Sequence, residues 1–156
     1  MEVSTVMASL LTGKATKTIY RWVDDGLLPA QQAEGDWSGG KIGGKLLFTL
    51  ADLRPHLAIP ITPDLENALE DANEGKATGF NEVALLFAEA GHFDIALRWF
   101  EMAAKKGHAD AMEWLATCYL EGLGTAPSTP HAIEWLGKAA AAGHLVALAK
   151  IDALLA

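Results

Sequence analysis

Ala96-Leu97-Arg98-Trp99-Phe100-Glu101-Met102-Ala103-Ala104-Lys105-Lys106-Gly107-His108 aligns with Ala132-Ile133-Glu134-Trp135-Leu136-Gly137-Lys138-Ala139-Ala140-Ala141-Ala142-Gly143-His144 at an offset of 36 residues. The segments before them also match, at an offset of 32: Gly79, Val83, Ala84 and Phe87 pair with Ala111, Leu115, Ala116 and Tyr119. The difference lies in the loop Gly122–Pro130, about four residues longer than its counterpart. Ala72–Ala77 echoes Ala104–Ala109, which predicts a degenerate half repeat upstream as a cap. Val146–Leu155 reads as the first helix of a third repeat.

Self-similarity at this period marks helical hairpins that cannot bury their apolar faces alone and therefore stack. Small residues (Ala84, Ala103, Ala116, Ala139) let helices approach, and Trp99, Phe100, Trp114, Trp135 and Leu136 are expected to fill the spaces between layers. The glycine of each Gly-His step ends one helix and turns the chain into the next.

On these residues the chain resembles the Sel-one-like subclass of tetratricopeptide repeats, whose pattern runs roughly A-x-x-x-L-G-x-x-Y-x-x-G-x-G, a loop, then A-x-x-W-x-x-K-A-A-x-x-G. The second repeat carries Ala111, Leu115, Tyr119, Gly122, Gly124, Ala132, Trp135, Lys138, Ala139, Ala140 and Gly143, with Ala116 at the usual glycine. The first repeat departs, with Ala90-Gly91-His92 in place of the longer loop. The resemblance covers residues ~64–156 and implies a scaffold that binds a protein partner.

The stretch Ala58-Ile59-Pro60-Ile61-Thr62-Pro63 breaks the chain, because proline removes an amide donor and disfavours helix before it. The expected domains are therefore 1–60 and 61–156. Thr62-Pro63-Asp64 starts a helix: a hydroxyl cap, a proline in the first turn, an acid at the positive end. Charge divides at the same place. Residues 1–63 hold six basic and six acidic side chains, so the rest carries the whole net charge of −8. The C-terminal part should repel nucleic acid, whereas the N-terminal part is neutral toward it.

In the N-terminal part, Ser4–Leu11 and Thr16–Asp25 have helical spacing, with Gly26 closing the second helix. Lys45–Thr49 reads as a strand that pairs with Ala30–Ala33 in a small hairpin, and Ala51–Leu57 as a short helix cut down by Pro55. Ile19, Trp22 and Val23 share one face of the second helix; Lys14, Lys17, Thr18 and Arg21 share another. A basic and hydroxyl stripe suits a major groove, where lysine and arginine reach phosphates or guanine edges.

The run Thr18-Ile19-Tyr20-Arg21-Trp22-Val23, followed by Gly26-Leu27-Leu28-Pro29-Ala30, resembles the winged helix-turn-helix of MerR and excisionase-like families over residues ~2–57. Leu50-Ala51-Asp52-Leu53 fits the helix after that family's wing. The resemblance implies DNA contacts from Lys14, Thr16, Lys17, Thr18, Tyr20 and Arg21, with Lys41 and Lys45 in a wing punctuated by Gly35, Gly39, Gly40, Gly43 and Gly44. Against it stand Asp24, Asp25, Glu34 and Asp36 near the same surface; Arg21 is also four residues before Asp25, the spacing of a surface ion pair.

Little in the chain suggests catalysis. No two of His56, His92, His108, His131 and His144 have zinc-protease spacing, and His108 and His144 sit at equivalent repeat turns, which points to structure. Cys118 lies on an apolar helix and reads as a buried, inert thiol; a lone cysteine excludes an intrachain disulfide and suits a reducing cytoplasm. No apolar run is long enough for a membrane span, no secretory leader is evident, and no cofactor or metal is expected. The chain is thus expected to be mostly α, a small winged helix-turn-helix followed by a short α-α solenoid. Two functions follow: a DNA-binding transcriptional regulator whose repeats dimerise or bind a partner, or a protein-protein interaction adaptor without nucleic acid. Double-stranded DNA, a protein partner and a second copy of the chain are the expected partners.

Overall fold

The computed structural model describes residues 1–32 and 46–156. Lys41, Lys45 and the expected wing glycines lie outside the described residues. The chain is mostly helical and divides into two compact units, Met1–Pro60 and Ile61–Ala156.

The first unit opens with a strand the sequence did not announce. Strand β1 (Glu2–Ser4) pairs antiparallel with β3 (Leu46–Thr49), whose other edge takes β2 (Gln31–Gln32). Three residues are too few to show alternation, so β1 is visible only through its partner. Val3 faces Phe48 across the pair and both are buried. Of the expected hairpin, Gln31 lies opposite Leu47 and Gln32 opposite Leu46, while Ala33 and Lys45 lie outside the described residues. Ser4 ends β1 and caps α1 (Thr5–Thr12), its hydroxyl accepting from the Met7 amide at 3.2 Å.

Helix α1 is buried nearly all round, and Gly13, at φ 68°, turns the chain into α2 (Thr16–Asp24). Only Ile19 of α2 is fully buried. Trp22 is half-buried and stacks on His56 with ring centroids 4.2 Å apart. Thr49 caps α3 (Leu50–Leu53), which passes into a 3-10 turn at Arg54–His56 that accommodates Pro55. Val3, Leu11, Ile19, Leu28, Phe48 and Leu53 make the core.

The second unit is six helices joined by short turns: α4 (Pro63–Asn73), α5 (Ala77–Glu89), α6 (Phe93–Lys105), α7 (Ala109–Glu121), α8 (Thr129–Ala141) and α9 (Leu145–Leu155). Each packs chiefly on the next, as a solenoid requires. Thr62 caps α4 by accepting from the Leu65 amide. Gly107 and Gly143 have φ of 89° and 88°, the left-handed geometry that glycine adopts without a Cβ clash.

Ala84, Ala96, Ala103, Ala116, Ala132 and Ala139 are wholly buried between layers, beside Phe87, Trp99, Phe100, Leu115 and Leu136. The aromatic assignment needs correction at two positions. Trp114 and Trp135 are half-buried. Trp114 stacks on Phe100 at 5.7 Å, and Trp135 carries the Lys138 ammonium 4.4 Å over its ring. Indole is amphipathic, so one face can seal a layer while the rest meets water.

Candidate interaction surfaces

In the N-terminal unit Thr16, Lys17, Tyr20 and Arg21 are exposed on α2, and Thr18 is half-buried. Lys14 is exposed too, but it belongs to the turn before α2, where its carbonyl accepts from the Ser9 hydroxyl. It therefore does not continue a helical stripe as the spacing suggested. Arg21 and Asp25 form no ion pair among the described residues.

The repeat histidines act on helix ends. His108 Nδ1 accepts from the Ala111 amide at 3.3 Å, and His144 Nδ1 accepts from the Ala147 amide at 3.2 Å. Each imidazole thus serves as the N-cap of the following helix, satisfying one of its free amides. His144 Nε2 also lies 2.9 Å from Asp110 Oδ1 on α7. Among the described residues no three His, Cys, Asp or Glu side chains are grouped as a metal would need. Cys118 is fully buried, and burial pushes its thiol up to about 11, so little thiolate forms at neutral pH.

Two faces of the repeat unit are open. The first is on α9, where Leu145, Val146, Leu148, Leu154 and Leu155 are exposed, Leu145 to 79%. The offset of 36 places Leu148 and Leu154 at the positions of Met112 and Cys118 in α7. Those two are buried in the interior, at 9% and 0% exposure. The expected first helix of a third repeat is α9, and its Leu145, Leu148 and Leu155 share an outward face.

The second face is a groove of about 460 Å³ between Asp64 and Asn67 on α4 and Glu82, Leu85, Leu86 and Glu89 on α5. The two leucines are half-buried, and the three carboxylates are exposed. Sequence reading missed this groove. Its signal was the i, i+3, i+4, i+7 spacing of Glu82, Leu85, Leu86 and Glu89, a stripe opposite the buried Phe80, Val83, Ala84 and Phe87.

A polar link joins alternate helices. Lys150 on α9 pairs with Glu113 on α7 and donates to Thr117 Oγ1 at 3.0 Å. Thr117 in turn donates to the Glu113 carbonyl. No helix in the described residues is long and apolar enough to cross a membrane.

The Sel1 repeat family matches residues 93–108 and 109–144, that is, α6 with its turn, then α7 through α8 to the following Gly-His step. These residues carry Sel1 repeats, a protein-protein interaction module. No curated protein matches the chain.

Proposed function

We propose that this protein is an interaction adaptor whose repeat unit binds a helical segment of a protein partner on the open face of α9. The carrying observation is the exposure of Leu145, Leu148 and Leu155, which share one face of α9, set beside the burial of Met112, the equivalent of Leu148 in α7. Aliphatic side chains gain about 25 cal/mol per Å² of apolar area removed from water, so such a face favours a covering helix. The test is a photo-crosslinker placed at Leu148, with Glu134 as the control position. A partner captured at Leu148 is purified and bound again in isolation; Leu148→Glu with Leu155→Glu should weaken it at least tenfold with the fold intact. Retained affinity in that variant defeats the reading, and a crosslink to a second copy replaces the partner with a homodimer.

A second reading is favoured by one observation, the exposure of Thr16, Lys17, Tyr20 and Arg21 on a short helix that buries little else than Ile19. In it, residues 1–60 act as a winged helix-turn-helix, α2 enters the major groove of double-stranded DNA, and Lys14, Lys41 and Lys45 reach phosphates. The repeats then dimerise the protein or recruit a regulator. Lys17→Ala with Arg21→Ala should weaken binding in a mobility-shift assay and flatten its salt dependence by about two charges. Absence of binding to any sequence pool at low salt excludes it.

A further inference from the structure

The α4–α5 groove differs from α9 in its chemistry. Asp64, Glu82 and Glu89 border it, no lysine or arginine lines it, and none of the three carboxylates forms an ion pair among the described residues. They are not grouped as a metal would need either. Carboxylates spread along a helical stripe of two turns suit several cations carried on one chain better than a single ion.

The repeat itself says what sits against this stripe. Lys150 is the residue by which α9 grips the preceding equivalent helix, α7. The two offsets carry Lys150 back to Trp114 in α7 and to Glu82 in α5. Glu82 therefore occupies the position from which Lys150 reaches α7; at the same position in α7, Trp114 stacks instead on Phe100 of α6. Within Ile61–Ala156 the only helix before α5 is α4, which is equivalent to α6 and α8, so α5 has no predecessor of its own kind. In the α7–α9 pair the later helix supplies the cation and the earlier one the anion. At the matching position α5 carries an anion, and Asp64 and Glu89 border the same groove, so a cation is the complementary charge for a helix seated there.

We infer that the groove seats an amphipathic helix of a partner protein, with aliphatic side chains on Leu85 and Leu86 and lysine or arginine against Asp64, Glu82 and Glu89. The volume accommodates several side chains of such a helix. A neutral or acidic helix would desolvate the carboxylates with nothing in return, which selects against it. The α9 face of a second copy brings leucines and Asp152 with Lys150 already engaged, the wrong charge for this seat. The inference rests on the reading of the repeat unit as a protein-binding module, though at a face separate from α9.

The test uses the full chain and a fluorescent eighteen-residue helical peptide of leucine, alanine and lysine, with leucines at i, i+3, i+4 and i+7 and lysines beside them. A second peptide carries glutamate in place of every lysine. The lysine peptide should bind and the glutamate peptide should bind at least about tenfold more weakly. Glu82→Gln with Glu89→Gln should weaken the lysine peptide about fivefold or more. Glu66→Gln with Glu70→Gln, the same change in net charge on the exposed side of α4 outside the groove, should leave it within twofold. No binding of the lysine peptide, or an equal loss from both glutamine pairs, overturns the inference. So does loss from Leu148→Glu without loss from the groove pair, and in that outcome the α9 reading survives.

Discussion

His144 Nε2 donates to Asp110 Oδ1 at 2.9 Å, so the side chain that caps α9 also ties its start to the start of α7. Because Nδ1 accepts from the Ala147 amide, the neutral ring with its proton on Nε2 serves both contacts at once. His108 supplies the equivalent cap on α7, but among the described residues its ring pairs with no acid.

His144→Ala should therefore cost more than the loss of a cap alone, about 1–2 kcal/mol, read from urea melts. His144→Asn should recover the cap and leave only the lost tie to Asp110. Asp110→Asn should cost less than about 1 kcal/mol, since Asp110 is largely exposed. Equal stability of His144→Ala and wild type would remove the cap from the account.

Gly124 stands at φ 70°, and a Cβ there would lie 2.4 Å from the Phe93 carbonyl oxygen and 2.7 Å from the Asp94 amide nitrogen. The long loop thus rests its backbone directly on the start of α6. Gly124→Ala should destabilise the repeat unit by about 2–4 kcal/mol and lower its Tm by several degrees. Gly137, inside α8, has nothing within 4 Å of the same point. Gly137→Ala should leave stability unchanged or raise it by up to about 1 kcal/mol. Thermal melts of the two variants check the contrast.

The Cys118 thiol is raised in the fold from 9.0 to about 11 by burial, with Glu121 next in effect. A group raised in this way stabilises the fold fully below its unfolded value and loses that contribution as pH rises toward the folded value. Stability should therefore fall between pH 9 and 11 by on the order of 2 kcal/mol more in wild type than in Cys118→Ala. Thiol reagent should label the native protein slowly at pH 8 and the urea-unfolded chain at once. Fast native labelling would contradict the burial.

Lys150 and Glu113 couple α9 to α7 across partly buried ground, with side-chain exposures of 37% and 14%. A double-mutant cycle with Lys150→Met and Glu113→Gln should give a coupling of about 1 kcal/mol, above the usual yield of an exposed pair. Glu113→Gln alone should weaken the hold of α9 and increase amide exchange in residues 145–155. Additive effects of the two substitutions would mean the pair contributes nothing to docking.

The repeat helices were legible because their evidence is local. Ala103 and Ala139, Gly107 and Gly143, and the capping Thr62 each announce a packing role by residue type and spacing. Strand β1 was not legible, since Val3 is a strand residue only because Phe48 lies opposite it. Lys14 looked continuous with Lys17 and Arg21 until Gly13 and the cap at Ala15 placed it in a turn. The groove was hidden for another reason. Nothing in the spacing of Glu82 and Leu86 names a neighbour, and only the position of α4 beside them makes a concavity.

By itself the sequence determined the repeat and the ends of its helices. Those features follow from backbone preferences and apolar spacing, which act within a few turns of chain. Tertiary structure decided which faces stay open: the leucines of α9, and Leu85 and Leu86 between Glu82 and Glu89. Exposure depends on what packs against a side chain from elsewhere in the chain, and two residues of the same type at equivalent repeat positions can meet different neighbours.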